Sequence, residues 1–271
     1  MLTQMLQPHP PGMAIRLTDA MAAPPDGLPR HDALERALGE LEQRLEALQA
    51  ALGAEGRRAV LVVLQGRDAS GKDGVVRRVF GGLNPALCSV TSFKRPSALE
   101  LRHDYLWRIH QALPVRGMIG IFNRSHYEDV IAVRVHRLVV EAVWRKRFDQ
   151  INAFESMLSD EGVVIRKFFL HVSKDEQRRR LEERLSDPTK NWKFAPEDID
   201  ERKRWDDYSE AYEEVLQRCS TPQAPWYVVP ADKNKPRDLL LAEVLVRTLE
   251  LMNPQYPPAN PEILALRGKI E

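Results

Sequence analysis

Apolar and polar positions alternate along this chain in two rhythms. Short unbroken apolar runs at 59–65, 118–122 and 226–230 have the length of strands buried on both faces, and residues 163–172 contain another. A weaker run, Cys88 to Phe93, reads as the second strand in chain order. Between these runs lie helical spacings: from the residues after Gly71 to about Gly81, from Ser97 to about Leu113, over 126–160, over 174–218 with a break at Asp187-Pro188, and over 236–251. Ser97 with Glu100 has the spacing of a capping box. Strands separated by helices predict an α/β fold with a doubly wound parallel sheet of about five strands.

Leu34, Leu38, Leu41, Leu45, Leu48 and Leu52 recur at spacings of four and three, one stripe on a helix over 31–52. The stripe suits packing on its own domain or a seam with a second subunit. Residues 1–30 are rich in proline and read as an N-terminal arm. Residues 31–255 form a single domain with a helical lid at about 174–215, and 256–271 form a tail.

The stretch Gly66-Arg67-Asp68-Ala69-Ser70-Gly71-Lys72-Asp73-Gly74 follows the first strand and precedes a helix. A phosphate-binding loop requires that context. Glycines let backbone N–H groups converge on an anion, and the helix points its positive end at the same spot. Gly66, Ala69, Ser70, Gly71, Lys72 and Asp73 are thus candidates for holding phosphate. Asp73 stands where a Ser or Thr hydroxyl usually holds Mg²⁺, and Asp68 adds a second carboxylate. Two carboxylates beside a phosphate cradle repel the ligand unless a divalent cation lies between them.

Ligands in such sheets bind beyond the carboxyl ends of the strands. The loop after the second strand carries Lys94 and Arg95, suited to further phosphates. The loop after the third is Asn123-Arg124-Ser125-His126-Tyr127-Glu128-Asp129. Arg124 suits a transferring phosphoryl group, and Glu128 or Asp129 can replace the carboxylate that Asn123 lacks. His126 is a weaker candidate general base, since phosphoryl transfer needs positioning more than proton abstraction. Residues 178–205 interleave cations such as Arg184, Lys190 and Lys193 with acids and with Trp192 and Trp205. They read as a salt-bridged helical pair or as a basic lid over a polyanion.

Composition narrows the classes. The 271 residues carry a formal net charge of +1, which disfavours a general nucleic-acid binder. Cys88 and Cys219 have no metal or disulfide spacing, so a reducing cytoplasm is expected. The start shows no signal-peptide pattern, and no apolar run reaches the roughly 20 residues of a membrane span.

The phosphate loop, the segment 121–129, Arg184-Leu185-Ser186-Asp187-Pro188-Thr189-Lys190-Asn191-Trp192-Lys193 and the run 224–233 together resemble the family-2 polyphosphate kinases over roughly residues 30–255. The resemblance implies a P-loop, thymidylate-kinase-like fold with a helical lid. It implies Mg²⁺-dependent transfer (Mn²⁺ as a substitute) from inorganic polyphosphate to a nucleotide. Asp68 would act in metal binding and catalysis, Lys72 in phosphate binding, and Arg124 and Arg184 on transferring phosphates. The metal would also use Asp129, with Glu128 second. Polyphosphate would run along Lys94, Arg95, Lys190 and Lys193, and the nucleotide would meet Asn123, Arg124, Tyr127 and Glu128. Asn123, where many members have Asp, resembles the subgroup that accepts AMP and ADP, with guanine nucleotides as further candidates. A homo-oligomer, dimer or tetramer, is expected. The competing readings are an ATP-dependent nucleoside monophosphate kinase of the same fold, a nucleotide sensor that does no chemistry, and a single-stranded RNA binder with steep salt dependence.

Overall fold

The computed structural model describes residues 5–267 and 269. Five strands form one all-parallel sheet in the order β2-β3-β1-β4-β5: β1 Ala59–Gln65, β2 Cys88–Ser92, β3 Ile119–Asn123, β4 Val163–His171 and β5 Trp226–Pro230. Strand β1 is central, and Leu64 pairs with Asn123 on one side and Phe168 on the other. The chain builds leftward to β2 and β3, then rightward to β4 and β5. The loops after β1 and β3 therefore meet at a change of direction, where such sheets bind ligands.

The helices are α1 His31–Glu55, α2 Lys72–Val79, α3 Trp107–Gln111, α4 Ala132–Val135, α5 Glu141–Asp160, α6 Lys174–Ser186, α7 Glu197–Lys203, α8 Trp205–Cys219, α9 Asn234–Met252 and α10 Pro261–Leu264. Every residue of β1 is buried because both faces are covered. Val60, Val62 and Leu64 face a core shared with α1, α2 and α9, while Leu61 and Val63 face α5 and α8. Alternation thus persists inside an apolar run, dividing it between two cores.

Two expected helices differ. Ser97 and Glu100 do exchange the reciprocal capping bonds, with Ser97 N donating to Glu100 Oε2 at 2.6 Å and Glu100 N to Ser97 Oγ at 3.3 Å. The helix they start ends after one 3₁₀ turn at Glu100–Arg102, because His103 is extended and Asp104 Oδ1 accepts from Leu106 N instead. The expected helix over 126–160 is broken into a 3₁₀ turn, α4 and α5; Arg137 adopts φ 54° and Val140 is extended. The break at Asp187-Pro188 is present, between α6 and a short turn at Asn191–Lys193.

The leucine stripe is spent inside the domain. Leu34, Leu38, Leu45, Leu48 and Leu52 are buried against α9 leucines such as Leu241 and Leu245, so the seam drawn along this stripe is not available to a second subunit. The arm is anchored along β5 and α8: His9 N donates to Trp226 O at 2.7 Å, and Gly12 N to Gln217 O at 3.1 Å. Among the described residues no helix is long and apolar enough to cross a membrane.

Beneath β3 and β4 lies a buried polar cluster. Lys167 Nζ donates to Glu155 Oε2 at 2.5 Å, to Tyr127 Oη at 2.7 Å and to Cys219 O at 2.6 Å. Tyr127 Oη donates to Glu155 Oε1 at 2.9 Å, and His126 Nε2 lies 3.0 Å from the same oxygen. Burial opposes the charged form of Glu155, but Lys167 and His126 outweigh it and hold the carboxyl below its usual range. Removing one partner strands a buried charge. Glu155→Leu is expected to cost about 3–5 kcal/mol, a fall in Tm on the order of 10 °C. Adding Lys167→Met should recover most of that loss, and thermal denaturation of the single and double variants checks it.

Candidate active site

The site starts at the end of β1. Gly66 adopts φ 154°, and a Cβ there would fall 2.6 Å from Ser70 Oγ and 2.8 Å from Leu170 O, so only glycine fits the turn. Gly71 adopts φ 98° as the N-cap of α2, and a Cβ there would collide with the Arg237 guanidinium. The loop therefore closes tightly and opens α2 toward the crevice. Lys72 folds back over it, its Nζ donating to Gly66 O at 2.6 Å and Arg67 O at 3.1 Å.

The loop after β3 meets it from the side. Arg124 N donates to Leu64 O at 2.9 Å. Its guanidinium pairs with Asp68 Oδ1 at 2.5 Å and with Glu128 Oε2 at 3.4 Å. These carboxylates, Glu128 first and then Asp68, push the Arg124 pKa up despite burial, so it stays charged. Arg124 holds φ 63°, a conformation costly for a non-glycine residue and found where surrounding structure imposes it. Asn123 Nδ2 donates to Asp73 Oδ1 at 2.8 Å.

Helix α6 closes the other side. Arg180 donates to Ala69 O at 3.0 Å and to Ala231 O at 2.6 Å, clamping the phosphate loop to the end of β5. Gln177 Nε2 donates to Asp68 O at 3.0 Å. One turn on, Arg184 pairs with Asp198 at 3.7 Å, and Lys190 with Glu183 at 2.6 Å. Together these elements enclose a cleft of about 750 Å³, lined by eleven lysine and arginine side chains against four carboxylates. So strong a local excess, in a chain of net charge +1, is a field for a polyanion.

Most of the expected site residues meet here. Asp68, Ala69, Gly71, Lys72, Asp73, Lys94, Asn123, Arg124, Arg184, Lys190 and Lys193 all line the cleft. Ser70 lies just beneath, its buried Oγ without a partner. Five expected residues fall elsewhere. Tyr127 is fully buried in the polar cluster under the sheet, so its ring is not offered to a nucleotide. Asp129 does not join Asp68. Its Oδ1 accepts from Arg147 at 3.1 Å, its Oδ2 lies 4.0 Å from Arg108, and it lines a separate cavity of about 520 Å³. Glu128 stands behind Arg124 rather than in the cleft, and Arg95 lines a neighbouring cavity of about 400 Å³. His126 is fully buried against Glu155, which leaves it no access as a general base.

Sequence reasoning missed Gln177 and Arg237, and it counted Arg180 only among the cations of the lid rather than as a clamp on the phosphate loop. Gln177, Arg180 and Arg184 share one face of α6 at spacings of three and four, a signal present in the sequence. Arg237 lies in the first turn of α9 just beyond β5, where the strand-end rule also points.

Hard oxygen donors suit Mg²⁺, which is commonly held by one or two carboxylates together with substrate phosphates and water. Asp68 and Asp73 give the cleft such a donor set, with the partnerless Ser70 hydroxyl beneath. Among the described residues no cluster of three or more His, Cys, Asp or Glu forms a cage without substrate.

Burial lowers the Lys72 pKa to about 8. The free protein therefore loses this cation as pH rises through about 8. Because kcat/KM reports groups of the free enzyme, kcat/KM for a polyanionic substrate is expected to fall above that pH. A pH–rate profile with Lys72→Arg alongside checks this, since the variant should keep its charge and lose the alkaline fall.

Against known proteins, residues 29–257 match the family Polyphosphate kinase 2 (PPK2). The chain belongs to the PPK2 family. It is 56% identical over 235 residues to the AMP/ADP-polyphosphate phosphotransferase of Meiothermus ruber, covering 87% of each chain. It is 47% identical over 244 residues to the ADP-polyphosphate phosphotransferase of Rhodopseudomonas palustris, covering 84% of each. The crystal structure of Polyphosphate Kinase 2 from Arthrobacter aurescens TC1 superposes with a TM-score of 0.85 at 35% identity, over 96% of this chain and 99% of that one. The PPK2 relationship thus spans the sheet, the cleft and helices α6 to α8.

Proposed function

We propose that this PPK2 protein transfers phosphoryl groups from inorganic polyphosphate to AMP and ADP, giving ADP and ATP, with Mg²⁺ as the metal. The observation that carries the reading is the cleft: a phosphate loop, Arg124 and the basic face of α6 around one cavity too cationic for a nucleotide alone. The relative from Meiothermus ruber, named for both AMP and ADP, supports the two acceptors.

An oxygen of the acceptor's terminal phosphate attacks the end phosphorus of the chain. The new P–O bond forms as the bond to the rest of the chain breaks, and polyphosphate leaves one unit shorter. The leaving group is itself a stabilised phosphate, so positioning and charge neutralisation supply most of the catalysis. Lys72 and the loop N–H groups hold the donor's end, and Arg124 neutralises the equatorial oxygens. Asp68 holds Arg124 in place and, with Asp73, would hold the metal, which when bound supplies charge neutralisation between the phosphates. Arg184 and Lys190 exchange their carboxylate partners for polyphosphate as the lid comes down, and Lys193 joins them on the chain. Excluding water from the cleft favours the nucleotide over water as acceptor, so the phosphoryl group is not lost as free phosphate.

Asp68→Asn tests the reading. With AMP and long-chain polyphosphate it is expected to form ADP at least about 10²-fold more slowly than the parent at saturating Mg²⁺. The parent should lose activity on chelation and regain it with Mg²⁺. Undiminished turnover by Asp68→Asn would remove this residue from the mechanism.

A further inference from the structure

The cleft uses one side of the phosphate loop and leaves the side chain of Arg67 unexplained. Arg67 is buried, and its Nε and Nη1 have no hydrogen-bond partner. Its Nη2 donates to Ser209 Oγ at 2.6 Å, and its guanidinium carbon lies 4.0 Å from the centre of the Trp205 ring. The carbonyl of the same residue accepts from Lys72 Nζ at 3.1 Å. Residue 67 therefore has its backbone in the phosphate cradle and its charge on an indole of another element.

That indole sits where the lid rejoins the domain. Trp205 is the first residue of α8, directly after α7. Lys174, the first residue of α6 and the point where the lid departs, places its ammonium 5.8 Å from the same ring. Arg202, at the end of α7, lies 5.9 Å from it and also donates to Lys174 O at 2.7 Å and Gln177 Oε1 at 2.8 Å. Both roots of the lid and the phosphate loop thus converge on one aromatic face. A ring face attracts cations without the strict directionality of a hydrogen bond, so these contacts survive a change of helix angle. Pivots need that property, and an ordinary core contact does not.

We propose that Trp205 is the pivot of the lid and that Arg67 is a positioning residue coupling the lid to the occupied phosphate loop. This rests on the reading that polyphosphate fills the cleft. Phosphate in the loop draws on Lys72, shifts the Arg67 carbonyl it holds, and biases the lid through the guanidinium–indole stack.

Limited trypsin digestion of the full chain, with and without long-chain polyphosphate, tests the coupling. Cleavage at Lys190 and Lys193 reports an open lid. Polyphosphate is expected to slow that cleavage on the order of tenfold in the parent and in Trp205→Phe, which keeps a ring face. Trp205→Leu should lose the shielding, and its KM for polyphosphate should rise by more than its kcat falls. Arg67→Met keeps the stem without the charge and should lose the shielding as well, which covers the case that Trp205→Leu does not fold. Shielding in Arg67→Met equal to the parent, or equal loss in the Phe and Leu variants, would overturn the coupling. An unshielded parent would overturn the filled-cleft reading and the coupling with it, whereas a shielded parent with indifferent variants overturns the coupling alone.

Discussion

Lys72→Met is expected to lower kcat/KM for nucleotide formation from polyphosphate by about 10³-fold while the protein stays folded. Lys72 is the one lysine of the phosphate loop, and its ammonium is held within the loop by two backbone carbonyls. The side chain is 8% exposed, and burying its charge lowers the pKa from 10.5 to about 8. That burial costs on the order of 3 kcal/mol in the free protein. A bound polyanion repays the cost, so the lysine destabilises the empty protein and stabilises the complex. Methionine has nearly the same length and no charge, which removes the penalty but leaves the Gly66 and Arg67 carbonyls without their donor. The two effects oppose each other, and Tm should move by only a few degrees. Steady-state kinetics beside a melting curve separates this from unfolding. A loss under tenfold would show that Lys72 does not contact the transferring group.

Arg124→Ala is expected to cost about 10³-fold in kcat, with kcat/KM falling equally. An arginine that neutralises charge built up in the transition state lowers both together. The structure adds a second test. At φ 63° residue 124 stores backbone strain, of order 1 kcal/mol, that glycine would relieve. Arg124→Gly should therefore be as inactive as the alanine variant yet melt higher than it. Lysine at this position should rescue poorly, because one ammonium cannot meet Asp68, Glu128 and a phosphoryl oxygen in the fork geometry of a guanidinium. A lysine variant with near-parent kcat would contradict the role given to Arg124.

Much of the fold was legible because the strands are covered on both faces. Such strands read as short apolar runs, and the runs at 59–65 and 226–230 coincide with β1 and β5 in both bounds. The phosphate loop was legible because glycines at 66 and 71 are demanded by close approach and by positive φ. The helix over 97–113 was misjudged because a capping box is a local device. Ser97 and Glu100 satisfy each other whether one turn follows or four, and Asp104 ends the matter by capping Leu106. Tyr127 and Asp129 were misplaced for a related reason. They lie in a single 3₁₀ turn, Asp129 a few residues from Arg124, and only the packing of α5 decides which side chains turn inward. Glu155 and Lys167 claim Tyr127, while Arg147 claims Asp129. The clamp made by Arg180 and the place of Arg237 escaped because their partners are remote in sequence: Arg180 spans from Ala69 to Ala231, and Arg237 fills the space that Gly71 leaves.

The most direct test of the central claim is nucleotide product analysis with purified protein, Mg²⁺, AMP and long-chain polyphosphate, with ATP offered as donor in a parallel reaction. The account predicts ADP and then ATP from polyphosphate, with the chain shortening by one phosphate for each phosphoryl group gained. No product from polyphosphate, alongside ready phosphorylation of AMP by ATP, would contradict it and make the protein a nucleoside monophosphate kinase.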